Sequence, residues 1–68
     1  MNSYQLRQLD DDGQVISERR VEADDYSAAL RQLKEVFGDA QRIQIYNEQD
    51  EKAGEISVDY WRREVRWR

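Results

Sequence analysis

A chain of 68 residues with no Cys and no His, 11 basic and 15 acidic side chains and a formal charge of −4 is one small domain with a thin core. Lacking Cys and His, it has no disulfide staple, no thiol nucleophile, no usual zinc ligand set and no imidazole base. No apolar run is long enough for a signal or membrane segment, so the expectation is a cytoplasmic protein that engages no membrane.

The stretches Tyr4 to Leu9 and Val15 to Val21 flank Asp12-Gly13. Asp-Gly between alternating apolar runs is the signature of a hairpin closed by a two-residue type I′ turn, whose central residues both need positive φ. Such a turn sets Asp11 opposite Gln14, Leu9 opposite Ile16, Arg7 opposite Glu18 and Tyr4 opposite Val21. One face then carries Tyr4, Leu6, Val15 and Val21, and the other carries Leu9 and Ile16. Gln8 and Arg19 fall on the apolar face, where they fit only near a sheet margin.

Asp24 to Gly38 has the one clean helical period in the chain. Tyr26, Ala29, Leu30, Leu33, Val36 and Phe37 recur at i, i+3, i+4, i+7 and predict a buried stripe. Arg31, Gln32, Lys34 and Glu35 fill the opposite face. Asp24 or Asp25 caps the first turn, and Gly38 suits a left-handed residue just past the last one. The spacing predicts a helix over 25–37.

Arg42 to Tyr46 alternates again, with Ile43 and Ile45 inward. After the polar run Asn47–Glu55, the residues Ile56, Val58 and Tyr60 alternate in the same way. Strands are expected near 3–10, 14–22, 41–47 and 55–61. The fold class is therefore α+β, a β-β-α-β-β domain over residues 1–61 with one helix on one face of a four-stranded sheet. Residues 62–68 form a basic, aromatic extension of the last strand. Two strand orders fit. The grasp-like one, with the first and last strands parallel in the middle, is preferred to one with the third strand beside the second.

Four features combine in the first half. They are the tyrosine-led strand at Tyr4, the acidic turn Asp10-Asp11-Asp12-Gly13, the helix start Glu22-Ala23-Asp24-Asp25, and the Ala29-Leu30 pair that follows. Over roughly residues 4–37 this pattern resembles a type of small bacterial protein with a D-x-D-G hairpin followed by an E-A-D-D helix start. The resemblance implies the β-β-α-β fold and no activity. The chain departs from that type at Gln8, where an apolar residue is usual, and in its long Arg/Trp end.

The aspartates before Gly13 do not make an EF-hand loop. With Gly13 as the loop glycine, the first and last ligand positions fall on Gln8 and Arg19, neither of which can serve. Ser3, Ser17, Ser27 and Ser57 have no base to activate them, and there is no Gly-rich phosphate loop. No catalytic, metal or cofactor residue is expected, and the chain reads as a non-enzyme.

By strand parity, Leu9, Ile16, Tyr46 and Trp61 fall on the sheet face opposite the helix. The end Tyr60-Trp61-Arg62-Arg63-Glu64-Val65-Arg66-Trp67-Arg68 continues that side if extended, adding Arg63, Val65 and Trp67. Read as a helix instead, it pairs Trp61 with Val65 at i, i+4; the extended reading fits better. From Ile56 onward, four arginines against Asp59 and Glu64 give +2, leaving −6 for the body. Trp, Tyr and Arg are the side chains enriched at protein contacts. The expected interaction surface is thus Leu9, Ile16, Tyr46, Trp61, Arg62, Arg63, Val65, Arg66 and Trp67. It would serve self-association as a homodimer or contact with a protein partner. The alternative is single-stranded nucleic acid, with arginines on phosphates and tryptophans under bases.

Overall fold

Two hairpins close around matching turn chemistry. In a computed structural model that describes residues 1–66, β1 (Asn2–Leu9) and β2 (Val15–Ala23) form the first. β3 (Arg42–Tyr46) and β4 (Lys52–Ser57) form the second. In the first loop the Asp10 N–H donates to Gln14 O at 2.9 Å and Gly13 N–H to Asp10 O at 3.0 Å. The Asp10 carboxylate also accepts from the N–H groups of Asp12 and Gln14, both at 2.9 Å. In the second loop Asn47 stands where Asp10 does. Its N–H reaches Glu51 O at 2.9 Å, and its side-chain oxygen accepts from Gln49 and Glu51 at 3.0 and 2.9 Å.

These are three-residue loops, a type I turn followed by one left-handed residue. Gly13 takes that position with φ 82°, and Asp50 takes it with φ 61°. The type I′ expectation fails because the Asp10 side chain organises the turn one residue earlier, so Asp12 keeps a negative φ. The extra loop residue shifts the register by one. Arg7 faces Glu18 and Tyr4 faces Val21 as expected, but Leu9 faces Val15 and Ile16 is left as a bulge. The second loop is equally tight, so β4 starts at Lys52 and not near residue 55.

The sheet is antiparallel throughout, in the order β2-β1-β3-β4. Neither expected order occurs: β1 pairs with β3, so β4 lies at an edge and not beside β1 in the middle. Apolar content decides the places. β3 turns Ile43 and Ile45 inward, both fully buried, and occupies the interior. β4 offers Gly54 and Ile56, both half-buried, and takes the edge.

The helix α1 (Tyr26–Gln32) begins as expected: the Ala28 N–H donates to the Asp25 carboxylate at 2.8 Å. It then stops after seven residues, with Leu33 extended at φ −72°, ψ 118°. The expected helix over 25–37 is too long, and Gly38 has no left-handed φ. A side chain of β1 holds the next segment away from helical geometry. Gln8 is 4% exposed on the inner sheet face. Its amide nitrogen donates to Glu35 O at 3.2 Å, and its amide oxygen accepts from the Phe37 N–H at 2.9 Å. A buried amide needs partners for both ends, and this non-helical segment supplies them. Leu33 is still buried, but Tyr26 and Phe37 at the two ends of the predicted stripe are exposed.

The last strand also ends early. Ser57 caps a helical segment by accepting from the Tyr60 N–H at 3.1 Å. That segment is α2 (Val58–Tyr60), and it continues as a single π-helical turn over Trp61–Val65. The wide turn closes through Arg66 N–H to Trp61 O at 2.9 Å. An extended continuation of β4 is therefore corrected to a helix. With the chain turned back over the inner sheet face, Val58 and Trp61 join Leu6, Val21, Leu30, Ile43 and Ile45 in one core. The Trp61 indole is 1% exposed, and its N–H points at Leu30 O at 3.4 Å.

Two outcomes check this packing. Trp61→Ala empties the largest buried side chain and should cost about 3–5 kcal/mol in urea unfolding; a loss below about 1 kcal/mol would place the indole outside the core. Gln8→Leu keeps the volume but strands the Glu35–Phe37 backbone. It should destabilise by about 1–3 kcal/mol despite adding apolar surface to the core; equal or greater stability would mean that the amide does not anchor the segment.

Candidate functional site

The residues expected to form one apolar face are separated in the structure. Trp61 lies in the core on the opposite side of the sheet, and Val65 packs partly buried against that same core. Leu9 is 7% exposed, apart from the main cluster, while the bulged Ile16 is 37% exposed. Tyr46 is half-buried. Arg62, Arg63 and Arg66 are exposed on the C-terminal helical turn. Trp67 lies outside the described residues. The parity argument fails for Trp61 at one point: the chain leaves the sheet at Ser57, so alternation no longer decides direction after it.

A polar network covers the open sheet face where the apolar patch was expected. The Arg7 guanidinium stacks over the Tyr46 ring, 4.2 Å from its centroid. Glu18 lies 3.7 Å and Asp50 3.5 Å from its nitrogens. Beside it, Glu55 gathers Lys52 and Arg42, both at 2.5 Å, and the Gln44 amide at 3.0 Å. The Lys52 hydrogen bond is the largest cause, with Gln44 and Arg42 adding to it, and together they pull the Glu55 carboxyl down to about 2. Arg7 and Glu18 hold the cross-strand positions that the register predicted. Charges matched across strands leave this face with little apolar surface to offer a partner.

Two grooves open elsewhere, both bordered by the C-terminal helical segment. The first runs between α1 and β4. Ile56, Leu30 and Val65 form its apolar lining, and Tyr26 and Tyr60 stand on its rims, 46% and 47% exposed. Gly54 lies beneath Tyr26, where an added Cβ would meet the ring at 3.6 Å, in ordinary contact. The second groove lies between the non-helical segment after α1 and the helical turn, lined by Lys34, Phe37, Arg62 and Arg66 with Trp61 behind them. Phe37 is 58% exposed there.

Tyr26 and Phe37 escaped the sequence reading because helical periodicity placed both in the core stripe. The early end of α1 put Phe37 at the rim of the second groove, while Tyr26, the first residue of α1, stands over Gly54 at the rim of the first. Ser57 with Asp59 two residues on is a helix-start pattern, and it is the signal that could have exposed the change of direction after β4.

Among the described residues no group of three or more acidic side chains is placed to hold a metal ion. No helix among them is long and apolar enough to cross a membrane.

The Glu55 cluster makes a pH prediction. Its carboxyl is depressed in the folded state, so its contribution is present above about pH 4.5 and is lost as pH falls toward about 2. The stability difference between the protein and Glu55→Gln should be largest above that range and vanish at its lower end. Urea unfolding across the range measures it; a difference independent of pH would remove the cluster as its source.

Comparison of the chain with protein-family models, with curated proteins and with solved structures gave no match.

Proposed function

We propose that this protein is a small cytoplasmic interaction module with no chemistry of its own. It works by accepting an extended protein segment along β4, and the occupant is β4 of a second copy. The observation that carries the reading is the contrast between the two sheet edges. β2 presents Glu18, Arg19, Arg20 and Glu22, all exposed, the usual charged protection of an open edge. β4 has only Lys52 and Glu55, and these two are paired with each other on the outer face. From Gly54 to Ser57 its inner-face side chains are uncharged, and the Tyr26 and Tyr60 rims flank them.

Strand addition at such an edge uses backbone hydrogen bonds for affinity and flanking side chains for fit. Tyrosines suit the flanks because they bring large contact area with few rotatable bonds. A thin core gives association a stabilising role, since assembly favours the folded state by mass action. The absence of Cys agrees with a reducing compartment.

Thermal melts and sedimentation over a roughly hundredfold concentration range test the reading. The midpoint should rise with protein concentration, and the double variant Tyr26→Ala/Tyr60→Ala should abolish that rise while remaining a folded monomer. A monomer at every concentration sinks self-association.

A further inference from the structure

We propose that two copies of β4 meet in one register, with the two-fold axis at Ile56 and Glu55 of each copy opposite the partner's Ser57. This register rests on self-association through β4 and specifies how the two strands meet. Backbone alternation decides which groups of β4 face the open edge. The Asn47 N–H donates to Glu51 O and the Val58 N–H to Gln41 O, both at 2.9 Å. The odd-numbered residues of β3 therefore turn their N–H and C=O groups toward β4. Ile43 faces Ile56 and Ile45 faces Gly54. Ile56 and Gly54 thus use their backbone groups on β3, and Glu55 and Ser57 turn theirs outward. The regular edge is short on both sides. The register skips a residue between Gly54 and Lys52, which leaves Ala53 as a bulge, and after Ser57 the chain turns into α2.

Identical strands related by a two-fold axis pair antiparallel, with residue i opposite j and j opposite i. With Glu55 and Ser57 outward and Ala53 bulged, the axis falls either at Glu55 or at Ile56. An axis at Glu55 sets Ser57 opposite the bulged Ala53, where no regular pair forms. It also sets two carboxylates directly opposite each other, and like charges in that position are destabilising. Hydrogen bonds from Lys52, Gln44 and Arg42 keep the Glu55 carboxyl ionised well below neutral pH, so protonation does not relieve the repulsion.

An axis at Ile56 uses both outward residues of each copy. The backbone of Glu55 meets that of the partner's Ser57, twice by symmetry. The side chain opposite Glu55 is then a small serine whose hydroxyl already accepts from the Tyr60 N–H at 3.1 Å. On the inner face the two half-buried Ile56 side chains meet at the axis. They form an apolar cross-strand pair between the two copies of the first groove, whose floor Ile56 helps to line.

The chain has no Cys, so introduced cysteines report the register. With the axis at Ile56, the two Ile56 Cα atoms lie about 4.5 Å apart as a non-hydrogen-bonded pair, inside the disulfide range of about 4.4–6.8 Å. Gly54 and the partner's Ile56 are then diagonal neighbours about 7–8 Å apart. With the axis at Glu55 these two relations are exchanged. A Cβ at Gly54 meets only ordinary contacts, so Gly54→Cys fits the fold, and circular dichroism of the reduced variants verifies that both are folded.

The experiment mixes full-length Gly54→Cys and Ile56→Cys, one of them isotope-labelled, under reducing conditions and then oxidises the mixture. Mass spectrometry separates homodimers from heterodimers. The expected product is the Ile56→Cys homodimer. It should form on the order of a hundredfold faster than that of Arg20→Cys, which is exposed on β2 and reports chance collision. In the unaltered chain, a half-labelled dimer should show Ile56 methyl contacts between copies in isotope-filtered nuclear magnetic resonance. Heterodimers equal to or above the Ile56→Cys homodimer would overturn the register and leave association through β4 standing. So would the absence of Ile56 contacts between copies in a wild-type chain that sediments as a dimer. A wild-type chain that stays monomeric at every concentration removes the association itself, and the register with it.

Discussion

The burial of Trp61 is the constraint on which the rest depends. A helix of seven residues spans only about 10 Å and cannot roof a four-stranded sheet. The C-terminal helical segment supplies the remaining cover, and the indole is the piece that reaches the core. Its N–H meets Leu30 O, one of the carbonyls left without an α-helical partner when α1 ends. The same carbonyl accepts from the Leu33 N–H at 3.2 Å. One aromatic side chain thus fills the gap beside the short helix and helps satisfy that helix's end.

Anchoring the chain in this way fixes what the two sides of the sheet can do. The inner side is filled by α1, the segment after it and the C-terminal turn, and the grooves are the seams between these pieces. The outer side has no helix to cover it and meets water with charges matched across strands. Arg7 is central there, its guanidinium laid on Tyr46 and flanked by Glu18 and by Asp50. Asp50 holds a left-handed conformation that costs a residue with a Cβ some stability. Its carboxylate is turned to use at Arg7, which offsets part of that cost.

Gln8 shows how one polar residue in an apolar row redirects a fold. It shares the inner face with Leu6, and a buried amide without partners would be destabilising. The backbone of Glu35 and Phe37 provides them, and the residues between Leu33 and Gly38 stay out of the helix. Phe37 is then left in solvent and Lys34 faces Arg62 and Arg66 across a groove. The second groove is in this sense a product of the Gln8 hydrogen bonds.

Local chemistry made the α+β class, the positions of the first three strands, a cap at Asp24 or Asp25 and the Arg7–Glu18 register legible in the sequence, because alternation, caps and short turns act over a few neighbouring residues. One turn was read a residue off, since Asp10 organises the first loop from its first position and moves Ile16 into a bulge, and the polar run from Asn47 was read as a long loop, whereas Asn47 closes a tight turn and β4 starts at Lys52. Strand order, the end of α1 and the direction of the chain after Ser57 were decided by tertiary structure. Each depends on a partner remote in sequence: Ile43 and Ile45 competing for the sheet interior, Gln8 reaching across 27 residues to Glu35, and Trp61 reaching across 31 to Leu30. Periodicity shows which residues can share a face. It does not say which of two apolar faces the core will take, because that is settled by the volume left unfilled when all the elements are packed together.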